Sequence, residues 1–340
     1  MHILINDFIG GVLDRGIPHY VRNIIFGLEE EGFRVSVVRA PTICRKLPRG
    51  VFYLIAVLFE QTVMPVLGLF KRADITLYPY NSVAVIDLLT RRARIVIHDL
   101  EQLNRGLSPS KLYYLACYRA LKWLKSPVFT IMELTRQRLI ESGLFGECPI
   151  TVLPVTFYAF ERLLAAGPQP AKTKNSLLLC TGSNPNKDFD TVVSGYLPKV
   201  LAKGFSVAIV GLHKTTDAAR LESLDNYLQS GLLKLCGQLS DAQVAAEYQK
   251  HEITWVHSLR EGFGRCLIEG RLAGSRVICS NIPEFSTQRD EMHDPEIYLY
   301  NNPAEFMATL ERLTHTATPP APFDGYPYRA MLRSAIESAF

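Results

Sequence analysis

The chain has 340 residues, 48% of them hydrophobic and 21% charged, with no low-complexity tract, which excludes a disordered or fibrous protein and leaves room for two α/β domains of roughly 150 residues each. Its net charge of +4 hides an asymmetry, since residues 1–165 hold 20 Lys+Arg against 14 Asp+Glu (+6) and residues 166–340 hold 17 against 19 (−2). A basic first half favours an anionic partner there, whether a membrane surface, a phosphorylated lipid or nucleic acid.

The chain opens directly on the strand pattern HILIN, without the charged, apolar and cleavage regions of a secretory leader, so a cytoplasmic protein is expected. In the segment that follows, Gly10, Gly11 and Gly16 lack the GxGxxG spacing, which argues against a nicotinamide or flavin site. After the strand RVSVV comes VFYLIAVLFEQTVMPVLGLF (51–70), as long as a membrane-spanning helix but interrupted by Glu60 and Gln61 at its centre and by Pro65. A transmembrane helix is therefore not expected. With Arg45, Lys46 and Arg49 on one side and Lys71 and Arg72 on the other, the stretch reads either as a packed domain helix with solvated ends or as a helix lying on an anionic membrane.

The strands ITLYPY, RIVIH, VFTIM and ITVLPV complete a first set, with Arg91, Arg92 and Arg94 adding to its basic character. AAGPQPAKTKN (165–175), with Gly, two Pro and polar residues, is the expected hinge. A second set follows: SLLLC, SVAIVG, LKLCG, ITWVH, RVICS and IYLY. Strands alternating with amphipathic stretches predict parallel sheets covered by helices, one per half. The expected organisation is a domain over 1–165, a second over 175–315, and a loop and helix over 316–340 that can pack on either domain, the first included. The seven cysteines show neither CxxC nor metal-ligand spacing and read as reduced, buried thiols.

The chemistry concentrates in HSLREGFGRCLIEGRLAGSRVICS (257–280). ITWVHS is a strand, LREGFG a turn, RCLIEGRLA a short helix stopped by Gly274, and RVICS the next strand. Gly262 and Gly264 clear the turn, so that backbone N–H groups from Phe263 to Cys266 can meet a phosphate at the helix's positive end. Helical side chains lean toward the N-terminus, which carries Glu269 over Arg265 and Cys266, where its carboxylate can accept bonds from two neighbouring ribose hydroxyls. Glu261, ahead of the glycines, faces the other end of a diphosphate, where a sugar would hang. The Asp188–Asp190 pair imitates a metal-binding Asp-x-Asp, but it follows Lys187 at a helix start, where acidic residues are ordinary, and no metal ligand is assigned.

EGFGRCLIE resembles the E-x7-E motif of retaining glycosyltransferases of the GT-B fold, family 4. The likeness continues in order along residues 1–310. RGIPHYVRNIIFGLEEEGFRVSVV is similar to that family's glycine loop and first helix, RIVIHDLEQLNRG to its His-Asp strand end, TGSNPNKDFDTVVSGY to its phosphate-binding lysine segment, and LKLCGQLSDAQVAAEYQKHEITWVHSLREGFG to the run into its glutamate turn. The resemblance implies an α/β protein of two Rossmann-like domains facing across a cleft, the first binding the acceptor and the second the nucleotide sugar.

It further implies catalytic roles for His98, near the anomeric centre, and Glu261, on the donor sugar. Donor contacts fall to Gly16, Lys187, Phe263, Gly264, Arg265 and Glu269, with Lys187 on the diphosphate and Glu269 on the ribose. The family commonly places an arginine a few residues before the lysine; here Ser183 and Asn184 stand there, and Arg265 is the candidate replacement. The expected reaction moves a sugar from a nucleotide-diphosphate donor to a hydroxyl of a glycan or lipid-linked glycan, with no cofactor and no obligatory metal, at the cytoplasmic face of a membrane. The competing readings are a glycoside hydrolase built on the carboxylate pair and a non-catalytic nucleotide or nucleic-acid binding protein. The scattered basic residues, with few interleaved aromatics, speak against a nucleic-acid partner.

Overall fold

The computed structural model describes residues 1–340 except 13–15, 101–102, 104–105, 107, 168–169, 213–217, 316–319, 322, 324 and 340. Parts of the expected glycine loop, of the segment after His98, of the hinge and of the C-terminal loop thus lie outside the described residues.

All twelve expected strands form, and they build two six-stranded sheets in which every pairing is parallel. The first contains β1 (His2–Asp7), β2 (Arg34–Arg39), β3 (Ile75–Tyr78), β4 (Ala93–Ile97), β5 (Val128–Thr130) and β6 (Ile150–Val152), in the order β2-β1-β3-β4-β5-β6. The second contains β7 (Thr173–Cys180), β8 (Ser206–Val210), β9 (Leu233–Gly237), β10 (His251–Val256), β11 (Arg276–Ser280) and β12 (Ile297–Tyr300), in the order β12-β11-β10-β7-β8-β9. Parallel strands are covered on both faces, so their sequences are continuous apolar runs; β1 and β11 are buried at every residue. Each sheet reverses its winding once, at β1/β3 in the first and β7/β10 in the second. Helices on either side of such a reversal lie on opposite faces of the sheet, leaving a crevice beyond the carboxyl ends of those two strands.

The chain divides into Met1–Tyr158 with Pro327–Phe340, and Ala159–Tyr326. The division falls upstream of the expected hinge at 165–175 because the helix Tyr158–Ala166 sends Phe160 and Leu164 into the core around Leu178, Cys180 and Tyr248. In the first unit the final helix, Tyr328–Ala339, meets the helix Ile17–Glu30, where the Leu332 side chain packs against Gly27 and Arg333 pairs with Glu31 at 3.0 Å. In the second unit Trp255 and Phe306 pack with ring centroids 4.6 Å apart, and the Trp255 indole N–H donates to the Tyr300 hydroxyl at 3.0 Å. The expected Ser-Asp helix start is a full capping box: Ser240 and Gln243 satisfy each other's backbone N–H at the head of Asp241–Lys250.

Two helices contain a π turn, Phe59–Val63 and Val192–Tyr196, and each precedes a proline, Pro65 or Pro198. A proline lacks an N–H and crowds the carbonyl four residues back; opening the ladder by one residue relieves both and lets the helix continue.

Candidate active site

The reversal between β7 and β10 assembles the predicted donor residues. The loop after β7 ends in a 3-10 turn, Pro185–Lys187; the loop after β10 carries Ser258 to Gly264 into the helix Arg265–Leu272. The loops are laced together, the Leu259 N–H donating to the Asn186 carbonyl at 2.8 Å and the Asn186 side-chain amide to the Arg260 carbonyl at 3.1 Å. Lys187 and Glu261, 74 positions apart in sequence, form an ion pair with only 18% and 13% of their side chains exposed, and the Ser258 hydroxyl donates to the same carboxylate oxygen at 2.5 Å. Burial works against the charge on Lys187, but Glu261 together with Cys266 and Cys180 outweighs it and holds the ammonium above its ordinary range.

A second cation–carboxylate pair follows one turn into the helix. Arg265 meets Glu269 at 2.7 Å, while the Tyr248 hydroxyl donates to the other Glu269 oxygen at 3.1 Å. Arg265, the candidate substitute for the missing arginine, therefore stands beside the carboxylate assigned to the ribose. Cys266 lies on the same turn. The Cys180 thiol hydrogen-bonds to it and holds it below the ordinary thiol range, whereas burial raises Cys180 well above it. Phe263 is buried beneath the turn, edge-on to Tyr326 at 6.0 Å, and its carbonyl accepts from the Gln288 amide.

Gly264 is the helix N-cap with φ +78°, and a Cβ there would fall 2.2 Å from the Phe285 ring, so the position admits only glycine. Gly262 differs from the expectation: a Cβ there meets no atom within 4 Å, and nothing in its packing demands glycine. The two aspartates of the Asp-x-Asp imitation are occupied separately, Asp190 with Arg220 at 2.7 Å and Asp188 3.8 Å from His257.

In the first unit the β1/β3 reversal gathers a different set. Asp7 accepts from Tyr80 at 2.6 Å and from Arg39 at 2.7 Å. Glu60, 4% exposed, accepts from Tyr113 at 2.6 Å, Ser82 at 3.0 Å and Asn6 at 3.1 Å. Burial pushes the Glu60 carboxyl up to about 7 despite these three donors. His98 follows β4, its backbone N–H donating to Asn81 at 2.8 Å and its Nε2 lying 2.9 Å from the Pro79 carbonyl. A carbonyl only accepts, so Nε2 bears the proton and Nδ1 the lone pair. Burial lowers the His98 imidazole to about 4, keeping it neutral. Gly16 caps the helix Ile17–Glu30 at φ +72°, ψ −115°, a backbone conformation reserved for glycine.

The structure thus gathers Lys187, Glu261, Phe263, Gly264, Arg265 and Glu269 on the two loops and the helix that follow β7 and β10 in the second unit, and sets His98 and Gly16 in the first. Sequence reasoning missed Ser258, Tyr248 and Glu60. Ser258 stands three residues before Glu261 and was within reach of a spacing argument; Tyr248 and Glu60 acquire their partners only through tertiary contacts.

No protein of curated function matches the sequence significantly. Among solved structures, sucrose-phosphate synthase from Thermosynechococcus elongatus aligns over 98% of this chain and 94% of its own at TM-score 0.62 and 14% identity. UDP-GlcNAc 2-epimerase from Methanocaldococcus jannaschii aligns over 100% and 99% at 0.63 and 12%, and a glycosyltransferase from Rickettsia africae ESF-5 over 98% and 93% at 0.60 and 16%. At these identities the likeness is one of fold, which transferases and an epimerase share. The family model described as "Glycosyl transferases group 1" matches residues 175–316, which run from within β7 to past β12 and hold both cation–carboxylate pairs. Residues 175–316 thus match the group 1 glycosyltransferase family, and the chain as a whole has the GT-B fold of these structures.

Proposed function

We propose that this protein is a retaining glycosyltransferase that moves a hexosyl group from a nucleotide-diphosphate sugar to a hydroxyl of a glycan or lipid-linked glycan in bacterial surface polysaccharide synthesis. The observation that carries the reading is the buried Lys187–Glu261 pair at the β7/β10 reversal, beside the N-terminus of Arg265–Leu272. In this reading an ammonium, a guanidinium and the positive end of the helix dipole meet the charge that a diphosphate accumulates as it leaves. Lys187 and Arg265 are each held by a carboxylate, so both cations are oriented before a phosphate arrives. In this reading Glu269, which accepts from Tyr248 with one oxygen, takes the ribose hydroxyls and Glu261 takes the donor sugar. Retention of configuration comes from the family resemblance alone.

Neutral His98, with an acceptor nitrogen at Nδ1, suits the acceptor side of the reaction. Leaving-group charge is met by Lys187, Arg265 and the helix terminus, so the proposed mechanism routes no step through a metal. The setting is a reducing cytoplasm, in keeping with seven unpaired cysteines. A glycoside hydrolase fits less well, because each glutamate faces its own cation and not the other across a bond to be cut.

The test is a thermal-shift panel against UDP, GDP, ADP, CMP and dTDP and their sugar conjugates, repeated on Glu269→Ala. One base should raise the midpoint selectively in the native protein and fail to do so in the variant. Absence of a shift with every nucleotide would overturn the donor assignment. With the base known, product analysis with and without glycan acceptors separates transfer from epimerisation or hydrolysis of the donor.

A further inference from the structure

The segment Gly50–Phe70 contradicts the reading of 51–70 as a well-packed domain helix: its mean hydropathy is 1.7, yet only 28% of its most apolar window is buried. A helix that is apolar all round belongs in a core or in lipid. Here one stripe packs on the domain, Phe52, Ala56, Glu60, Met64 and Gly68 recurring every four residues. The opposite face is apolar as well. Leu54, Leu58, Val66, Leu69 and Phe70 are between 55% and 84% exposed, where a water-facing helix would carry polar side chains.

Two further features identify what this face meets. Gln61 donates to the Val83 carbonyl at 2.8 Å and accepts from the Val85 N–H at 3.1 Å, bringing the short helix Val85–Leu89 alongside; that helix adds Ile86 at 50% and Leu89 at 58% exposure. The apolar surface therefore spans two helices, more than the scattered exposed residues of ordinary surfaces. Charge supplies the second feature. Residues 42–72 contain five cations (Arg45, Lys46, Arg49, Lys71, Arg72) and one acid, Glu60, which is buried against Asn6, Ser82 and Tyr113. Arg45 and Lys46 precede the helix, Lys71 and Arg72 follow it, and Arg91 follows its neighbour, all exposed. Among the described residues the face is apolar along its length and cationic at its ends, and neither helix presents an exposed carboxylate; Asp74, the exposed acid beyond Arg72, accepts from the His2 N–H at 2.7 Å.

We propose that this face seats the first unit on an anionic phospholipid surface, its outer side chains entering the boundary between headgroups and acyl chains and its terminal cations engaging lipid phosphates. Glu60 and Gln61 decide that the helix lies in the interface and does not span: their bonds to Asn6, Ser82, Tyr113 and Val83 pin its inner face to the domain. A second copy of the chain is the poorer occupant, since two such faces would bring like charges together at the rim. The inference is independent of the sugar-transfer reading, because vesicle binding is measured without donor or acceptor.

The test is co-sedimentation of the full chain with phosphatidylcholine vesicles, with and without phosphatidylglycerol, at low and raised salt. Binding should require the anionic lipid and fall as salt rises. Lys71→Gln with Arg72→Gln should weaken it about thirtyfold, at about fivefold per cation. Leu58→Gln with Val66→Gln should weaken it at every salt concentration. Both variants alter exposed positions, and unchanged unfolding midpoints would show that they fold. Absent binding, equal binding to both vesicle types, or variants that bind like the parent would overturn the proposal. So would a dimer in vesicle-free solution that the Leu58/Val66 variant dissolves.

Discussion

Replacing Gly264 by alanine tests the geometry of the glycine turn that opens the helix Arg265–Leu272. The position has φ +78°, so a Cβ imposes the left-handed penalty of about 1–2 kcal/mol. That Cβ would also stand 2.2 Å from Cε1 of Phe285, a fully buried ring that cannot swing into solvent. Overpacking of this kind costs about 1–3 kcal/mol, bringing the expected loss to about 2–5 kcal/mol. Gly262→Ala is the internal control. It lies two residues away in open space without a left-handed backbone, and should stay within about 0.5 kcal/mol of the parent. Trp255, buried in β10, reports on this unit, and Trp123→Phe removes the only other indole. Urea unfolding followed by indole emission should separate the two alanine variants clearly. Adding Phe285→Leu to Gly264→Ala should return part of the loss by relieving the clash while leaving the backbone penalty. Equal midpoints for Gly264→Ala and Gly262→Ala would refute the close-packed turn and the placement of the helix N-terminus that depends on it.

Lys187→Met keeps the stem and removes the charge; nucleoside-diphosphate affinity should collapse and kcat/KM fall about 100-fold or more, so an unchanged nucleotide-induced midpoint shift would remove Lys187 from the donor site. Arg271 is buried against Asp294 at 2.6 Å and donates to the Ser275 and Ala321 carbonyls, so Arg271→Met should cost about 3–5 kcal/mol in urea unfolding, part of it recovered by adding Asp294→Leu. Acidity should act on the first unit in two opposed ways. Glu60 sits at about 7 folded against 4.5 unfolded, so the folded state holds the extra proton and stability falls as pH rises from 4.5 through 7, by up to about 3 kcal/mol. His98 sits at about 4 against 6.5, so the unfolded state holds the extra proton and a similar amount is lost as pH falls from 6.5 to 4. Glu60→Gln should abolish only the alkaline loss, read as slower hydrogen exchange of β1 and β3 amides at pH 8; profiles parallel to the parent would contradict a protonated Glu60.

The fold was legible because parallel strands must be apolar on both faces: RVICS or SLLLC admits little else once Gly and Pro mark its ends. The carboxylate spacing was legible for a related reason, since a four-residue step along a helix places Arg265 beside Glu269 whatever the rest of the chain does. Tyr248 was not, because its hydroxyl reaches Glu269 from a helix whose seat on the sheet depends on β7, β10 and their crossovers. The position of the domain boundary was obscured by composition. AAGPQPAKTKN looks like a linker, but Phe160 and Leu164 just before it commit the preceding helix to the second core. The 51–70 stretch misleads in the opposite direction, as apolarity without a polar stripe predicts burial and cannot say that one face is left uncovered.

The strand order also explains why these particular loops carry the chemistry. In the order β12-β11-β10-β7-β8-β9, only β7 and β10 have crossovers that depart to opposite faces, so only their following loops can stand apart and admit a ligand between them. Those loops are the ones holding Lys187 and Glu261. Their backbones are tied by the Leu259–Asn186 bond, so the pair rests on a braced frame and needs no ligand to assemble. Bracing has an energetic consequence. On the proposed reading, a lysine already desolvated and oriented by a carboxylate would exchange one anion for another as a phosphate entered, with most of the ordering and dehydration cost met in folding. Arg265 and Glu269 repeat the device one helical turn away, so a second cation is oriented by a carboxylate in the same way.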